Sequence, residues 1–172
     1  RKDNPTLDFD SPKTGQTLPK LLSETEVNLL LDKANDKAKK SKHVKDLRLC
    51  ALLELLYATG LRVSELVSLP LTAFRSGEPY IYVLGKGNKE RLVPLSQRAI
   101  EAVDDYIKAV KLAKDSKGKN KFPTIQKWLF PSRGKLGYLT RHRFSQLLKE
   151  LGTSVGILPS RLSPHVVRHA FA

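Results

Sequence analysis

Leu47-Arg48-Leu49-Cys50-Ala51-Leu52-Leu53-Glu54-Leu55-Leu56-Tyr57-Ala58-Thr59-Gly60-Leu61-Arg62-Val63-Ser64-Glu65-Leu66 is the stretch on which the fold turns. Residues 47–57 are nearly all Leu and Ala, which predicts a helix buried on every side. Gly60 stands where such a helix is closed by a residue in the left-handed conformation. Arg62 and Glu65 then interrupt the most apolar part of the chain. Desolvated charges need partners, and two residues three apart on a helix share a face. Two readings stay open at this point: a structural ion pair where one helix ends and the next begins, or a functional Arg held by a carboxylate.

Upstream, Ser23-Glu24-Thr25-Glu26 has the capping-box spacing, with Val27, Leu30 and Leu31 as the apolar face of a first helix. The Lys-rich run from Lys33 to Lys45 is expected to be a solvated helix end or loop. Residues 1–20 carry Pro5, Pro12, Gly15 and Pro19 and read as a linker, leaving 21–172 as one domain. Downstream, a short helix over Arg62–Leu69 stops at Pro70. Tyr80-Ile81-Tyr82-Val83-Leu84 and Arg91-Leu92-Val93-Pro94 read as strands around the turn cluster 85–89, a β-hairpin with a basic tip. Ser96 caps a helix with Ile100, Val103, Ile107 and Val110 inward. Lys111–Lys121 reads as a polar loop, and Trp128-Leu129-Phe130 as a buried segment. Thr140 caps a helix that buries Phe144, Leu147, Leu148 and Leu151 and is closed by Gly152. Ser163-Pro164 is an N-cap followed by Pro at the first helical position. The fold class is mainly α with one small β-hairpin.

The 172 residues suit one domain with a real core. No apolar run approaches the ~20 residues of a membrane span. The single cysteine, Cys50, excludes an internal disulfide and fits a cytoplasmic setting. The formal net charge of +14 points to a polyanionic partner, nucleic acid before membrane. The sequence contains no Met and stops a few residues into its last helix, so it reads as a C-terminally truncated piece.

Three basic loci have no local packing reason: Arg62 after the Gly cap, Lys86 on the hairpin, and His165 with Arg168 at a helix start. His165 and Arg168 are i, i+3 and project from one face. Phosphate is the anion that suits them, because Arg forks bind its oxygens bidentately and a Lys on a hairpin can protonate a leaving oxygen. His169 is expected to pack, and His43 and His142 to be surface residues. Metal ligation is disfavoured by the lack of an acidic cluster, a Cys pair or H-E-x-x-H. Gly85-Lys86-Gly87 lacks the spacing of a nucleotide-binding loop.

In order, these loci resemble three boxes of the tyrosine recombinases, the phage integrase family. Leu56–Leu66 is similar to the first Arg box, Val83–Leu95 to the catalytic-Lys hairpin, and Leu162–Ala172 to the H-x-x-R box. The resemblance runs from about Leu18 to the end. The spellings are nearest to the bacterial Xer recombinases, closer to the XerD branch than to XerC. It implies that Arg62 and Arg168 clamp a scissile phosphate, that His165 assists, that Lys86 is the general acid, that Glu65 holds Arg62, and that His169 supports. It also implies no metal or other cofactor, double-stranded DNA as partner, a homo- or hetero-tetramer at work, and strand exchange through a 3′-phosphotyrosine, with chromosome dimer resolution as the role. A phage or mobile-element integrase, or a non-catalytic DNA-binding module, are the alternatives. The family's nucleophilic Tyr follows the H-x-x-R box. None of Tyr57, Tyr80, Tyr82, Tyr106 and Tyr138 matches it, so this chain alone is expected to be inactive.

Overall fold

The helix expected at the centre is α2 (Val44–Thr59), in which Leu49, Cys50, Ala51, Leu52, Leu53, Leu55 and Leu56 are buried. The computed structural model describes residues 22–84, 90–113 and 127–170. Around α2 stand α1 (Glu24–Ser41), α3 (Val63–Val67), β1 (Tyr80–Leu84), β2 (Glu90–Pro94), α4 (Gln97–Leu112), α5 (Arg141–Thr153) and α6 (Pro164–His169). All of these except β1 make substantial contact with α2, and α1 and α4 run along it most extensively. Each Leu that α2 withdraws from water contributes about 2 kcal/mol, so this one helix supplies a large share of the core. β1 and β2 pair antiparallel with Tyr80 opposite Pro94 and Leu84 opposite Glu90. The mainly helical class with one hairpin is the observed one.

Local signals placed the helix starts. Ser23 Oγ accepts from the Glu26 amide at 3.2 Å, while the Ser23 amide donates to Glu26 Oε2 at 2.9 Å. Ser96 and Thr140 cap α4 and α5 in the same way. The first helix is longer than its lysines suggested: it continues to Ser41 and is broken by Lys42, whose φ of 52° is left-handed. The expected linker, residues 1–20, and most of the expected loop Lys111–Lys121 lie outside the described residues.

Three expectations are corrected. The short helix ends at Val67 rather than Leu69, because Leu69 and Leu71 are engaged by a later segment: the Leu129 amide donates to the Leu69 carbonyl at 2.8 Å, and the Leu71 amide to that of Lys127 at 3.1 Å. Trp128 is only half-buried, edge-on to Tyr138, while Leu129 and Phe130 are sealed. Gly152 is not a cap. It is a buried helical residue where α5 meets the turn before α6, and a Cβ there would lie 1.9 Å from Leu162 Cδ1. In α4 the largest buried side chain is Tyr106, stacked on Phe130 and absent from the expected apolar set. Burial pushes its phenol pKa up.

Charge ties the central helices together. Glu54 of α2, 4% exposed, accepts from Arg98 Nε of α4 at 3.0 Å, and Arg98 Nη2 also reaches Asp32 of α1 at 3.1 Å. Asp46, near the start of α2, takes Ser41 Oγ at 2.7 Å and Lys37 Nζ at 3.3 Å from α1. Burial raises the Glu54 pKa above the usual carboxylate range, against the lowering effect of Arg98. Burial also pushes the Cys50 thiol up to about 12.

Arg98→Ala should leave the Glu54 carboxylate buried without its cation, at a cost of about 2 kcal/mol at neutral pH, less than a fully buried pair because Arg98 is half-exposed. With its folded pKa raised further, Glu54 holds its proton in the folded state to higher pH than in the unfolded chain. The variant's stability should therefore be nearest to wild type at acid pH and fall as pH rises through and above the carboxylate range. Urea melts at pH 4 and pH 7.5 check this; an equal loss at both values would contradict it.

Candidate active site

Gly60, at φ 57°, ends α2 in the left-handed conformation that any other residue would adopt at a cost. The chain turns out through buried Leu61 and reaches Arg62, the N-cap of α3, with extended backbone. The Arg62 amide donates to Glu65 Oε2 at 3.0 Å, and Arg62 Nη1 donates to Glu65 Oε1 at 3.2 Å. The ion pair foreseen in the sequence is therefore real, but it is not in the core. The Arg62 side chain is 64% exposed, whereas that of Glu65 is 17% exposed. One carboxylate thus fixes both the backbone and the side chain of an outward-facing guanidinium.

Sequence reasoning missed the third member. Arg91 of β2 donates from Nη2 to Glu65 Oε2 at 3.3 Å. Arg91 pairs with Val83, whose side chain is buried, so it belongs to the face of the hairpin that packs inward. Arg91 is itself 51% exposed, so burial does not demand this partner, and no local pattern in the sequence marks it.

The second locus is α6. Ser163 Oγ accepts from the Val166 amide at 3.3 Å, Pro164 and Val167 are buried, and α6 packs on α2 and α5. His165 is exposed and Arg168 half-buried. Among the described residues no carboxylate lies within ion-pair distance of Arg168. His169, expected to pack, is exposed, because the turn of α6 that buries Val167 carries it to the solvent side. His43 and His142 are at the surface as expected. Lys86 lies outside the described residues. The structure therefore joins Arg62 to Glu65 and Arg91, on α3 and β2, and carries His165 and Arg168 on α6; all three elements pack against α2.

The turn leading into α6 is itself fastened. Arg161 donates from Nη1 and Nη2 to the two carboxylate oxygens of Glu26, at 2.6 and 3.0 Å. This bidentate bond and the Ser23 amide hold the Glu26 carboxyl below its usual range. No group of three His, Cys, Asp or Glu side chains suited to a metal exists among the described residues. The chemistry available is that of guanidinium and imidazole donors: binding an anion with dispersed charge, such as a phosphate passing to a five-coordinate state.

Residues 20–172 match the model of the phage integrase family. The tyrosine recombinase XerD of Bradyrhizobium diazoefficiens is 48% identical over 177 aligned residues, which take in all of this chain and 55% of that protein. Among solved structures, the XerA recombinase superposes with a TM-score of 0.67 at 26% identity, over 91% of this chain and 49% of that one. The XerH site-specific recombinase, solved bound to its palindromic difH substrate, gives a TM-score of 0.69 at 22% identity, over 92% of this chain and 42% of its own; it shows the shared fold. The chain spans about half the length of the curated relatives it matches.

Arg161→Ala should lower stability by up to about 1 kcal/mol, the range of a partly exposed pair. Because the Glu26 pKa is depressed, the pair's contribution is present above the ordinary carboxylate range and lost as pH falls below it. The deficit between wild type and Arg161→Ala in denaturant melts should therefore shrink at the acid end; a deficit that widened there would contradict the assignment.

Proposed function

The chain belongs to the phage integrase family, the tyrosine recombinases, and from that membership we propose that it is the phosphate-activating domain of a site-specific DNA recombinase. Arg62 carries the reading. It is an exposed guanidinium at a helix start, locked in place through backbone and side chain by one carboxylate, with most of its donors left to solvent. Such a group is pre-organised for a planar or phosphate-like anion, with little rotamer freedom left to lose on binding.

In this reading Arg62 and Arg168 bind the non-bridging oxygens of the scissile phosphate, where negative charge builds up. His165 donates a further hydrogen bond to the same group. A tyrosine phenol attacks phosphorus and passes its proton to water, a transfer that His165 assists; a phosphorus–oxygen bond to the tyrosine forms as the bond to the 5′ oxygen breaks. Lys86 gives the departing 5′ oxygen its proton, leaving a 3′-phosphotyrosine and a free 5′ hydroxyl. Reversal with a different 5′ hydroxyl rejoins the strands. Glu65 and His169 support from outside the phosphate contacts. No metal or other cofactor takes part.

The nucleophile is assigned to a part of the protein other than these 172 residues. Tyr57 is half-buried against the core at the end of α2, Tyr106 is sealed in the core with its pKa raised by burial, Tyr138 packs on Trp128, and Tyr80 and Tyr82 pack edge to face on the hairpin. Residues 1–20 act as the linker from a second DNA-clamping domain, and 21–172 as the catalytic domain. The whole protein works as a tetramer on double-stranded DNA in the cytoplasm. The 48% identity to a XerD recombinase along the entire chain favours chromosome dimer resolution as its role.

The 172-residue chain should form no covalent adduct on a nicked suicide substrate, and detection of such an adduct would refute the assignment of the nucleophile. In the full-length protein, Arg168→Ala should abolish adduct formation, by about a thousandfold or more, with DNA affinity within a few-fold of wild type. A proportionate loss of affinity instead would indicate a binding module. Affinity itself should fall with the logarithm of salt concentration at a slope of about −0.9 per phosphate neutralised; a salt-independent affinity would count against the basic face.

A further inference from the structure

We infer that Arg91 is a positioning residue for the phosphate clamp, acting on Arg62 through their shared carboxylate, Glu65. The inference rests on the reading of Arg62 as a phosphate ligand. Glu65 has two oxygens and three donors. Oε1 takes Arg62 Nη1 at 3.2 Å; Oε2 takes the Arg62 amide at 3.0 Å and Arg91 Nη2 at 3.3 Å. An amide hydrogen bond alone leaves a carboxylate free to rotate about its last torsion. The second donor on Oε2 comes from a different element, so it fixes the plane of the carboxylate and with it the place of Oε1 and the Arg62 fork.

The anchor is firm. Arg91 sits in a hairpin whose opposite strand buries Ile81 and Val83, 0% and 2% exposed, and β2 packs on α2. There is also a charge consequence. Glu65 and Arg62 alone would be close to neutral; with Arg91 the cluster carries one net positive charge. The carboxylate is divided between two cations, so Arg62 keeps more of its field for an incoming anion. Arg91 is 51% exposed and Glu65 17%, so the variant should fold.

The test is cleavage by the full-length protein of suicide substrates with either a normal or a methylphosphonate linkage at the scissile position. The methylphosphonate removes the charge that a guanidinium would neutralise. On the normal phosphate, Arg91→Ala should slow cleavage by about ten- to a hundredfold with DNA affinity and salt slope unchanged, and Arg91→Lys should recover part of the rate. Combined with Arg62→Ala, it should add little further loss. On the methylphosphonate, both Arg62→Ala and Arg91→Ala should cleave close to the wild-type rate.

Wild-type cleavage by Arg91→Ala would overturn the inference. So would a defect that persists on the methylphosphonate and adds in full to that of Arg62→Ala, the mark of a merely structural role. Weakened affinity with a shallower salt slope would also overturn it, and would make Arg91 a direct DNA-phosphate contact. If Arg62→Ala itself gains nothing from the neutral linkage, the reading of Arg62 fails and takes this inference with it, an outcome separable from one confined to Arg91.

Discussion

A helix that is apolar all round has to be covered all round, and α2 imposes that condition on the rest of the molecule. Cys50, Ala51, Leu52, Leu53, Leu55 and Leu56 are all buried on it, and at about 100° per residue they together face every direction around the axis. No single neighbour can cover such a surface. α1 and α4 take its length, and α3, α5, α6 and β2 fill the remainder. The site follows from this arrangement. Arg62 stands just past the end of α2, and His165 and Arg168 stand on a helix that packs on α2. Both loci are thereby referred to one rigid rod instead of to each other, and a change in the packing of α2 would reach both.

The acidic side chains show how a strongly basic chain is held together. With 17 Asp and Glu against 31 Lys and Arg, carboxylates are the scarcer partner. Several of them join separate elements: Glu26 binds the turn before α6, Asp46 joins α1 to α2, Glu54 joins α2 to α4, and Glu65 joins α3 to the hairpin. Among the described residues the arginines outside these ion pairs include half-buried Arg168 and Arg48, whose Nε is buried without a partner.

What could be read in the sequence was local. The caps at Ser23, Ser96, Thr140 and Ser163 each receive an amide three residues on, and the spacing is visible in the string. Gly60 and the Arg62–Glu65 pair were legible for the same reason. The bonds that set the relative placement of elements were not. Arg91 and Glu65 are 26 positions apart, Arg98 and Glu54 are 44, and Arg161 and Glu26 are 135. These arginines are 38% to 51% exposed, so periodicity marks none of them as facing inward, and nothing local says which carboxylate each will meet. Gly152 was misread for a related cause: a glycine near a helix end signals a cap, and only the approach of Leu162 shows that the missing Cβ serves packing.

Cys50 sits on the inner face of α2, 4% exposed, with its thiol pushed up to about 12 by burial. It is the one cysteine of the sequence. A thiol reagent attacks the thiolate, so in the closed state this sulfur is protected twice, by access and by protonation. Labelling then waits on an opening that exposes α2, and its rate at a fixed reagent concentration measures how often the central helix is uncovered. The protein therefore carries its own unfolding clock, a native thiol whose labelling is read by mass spectrometry.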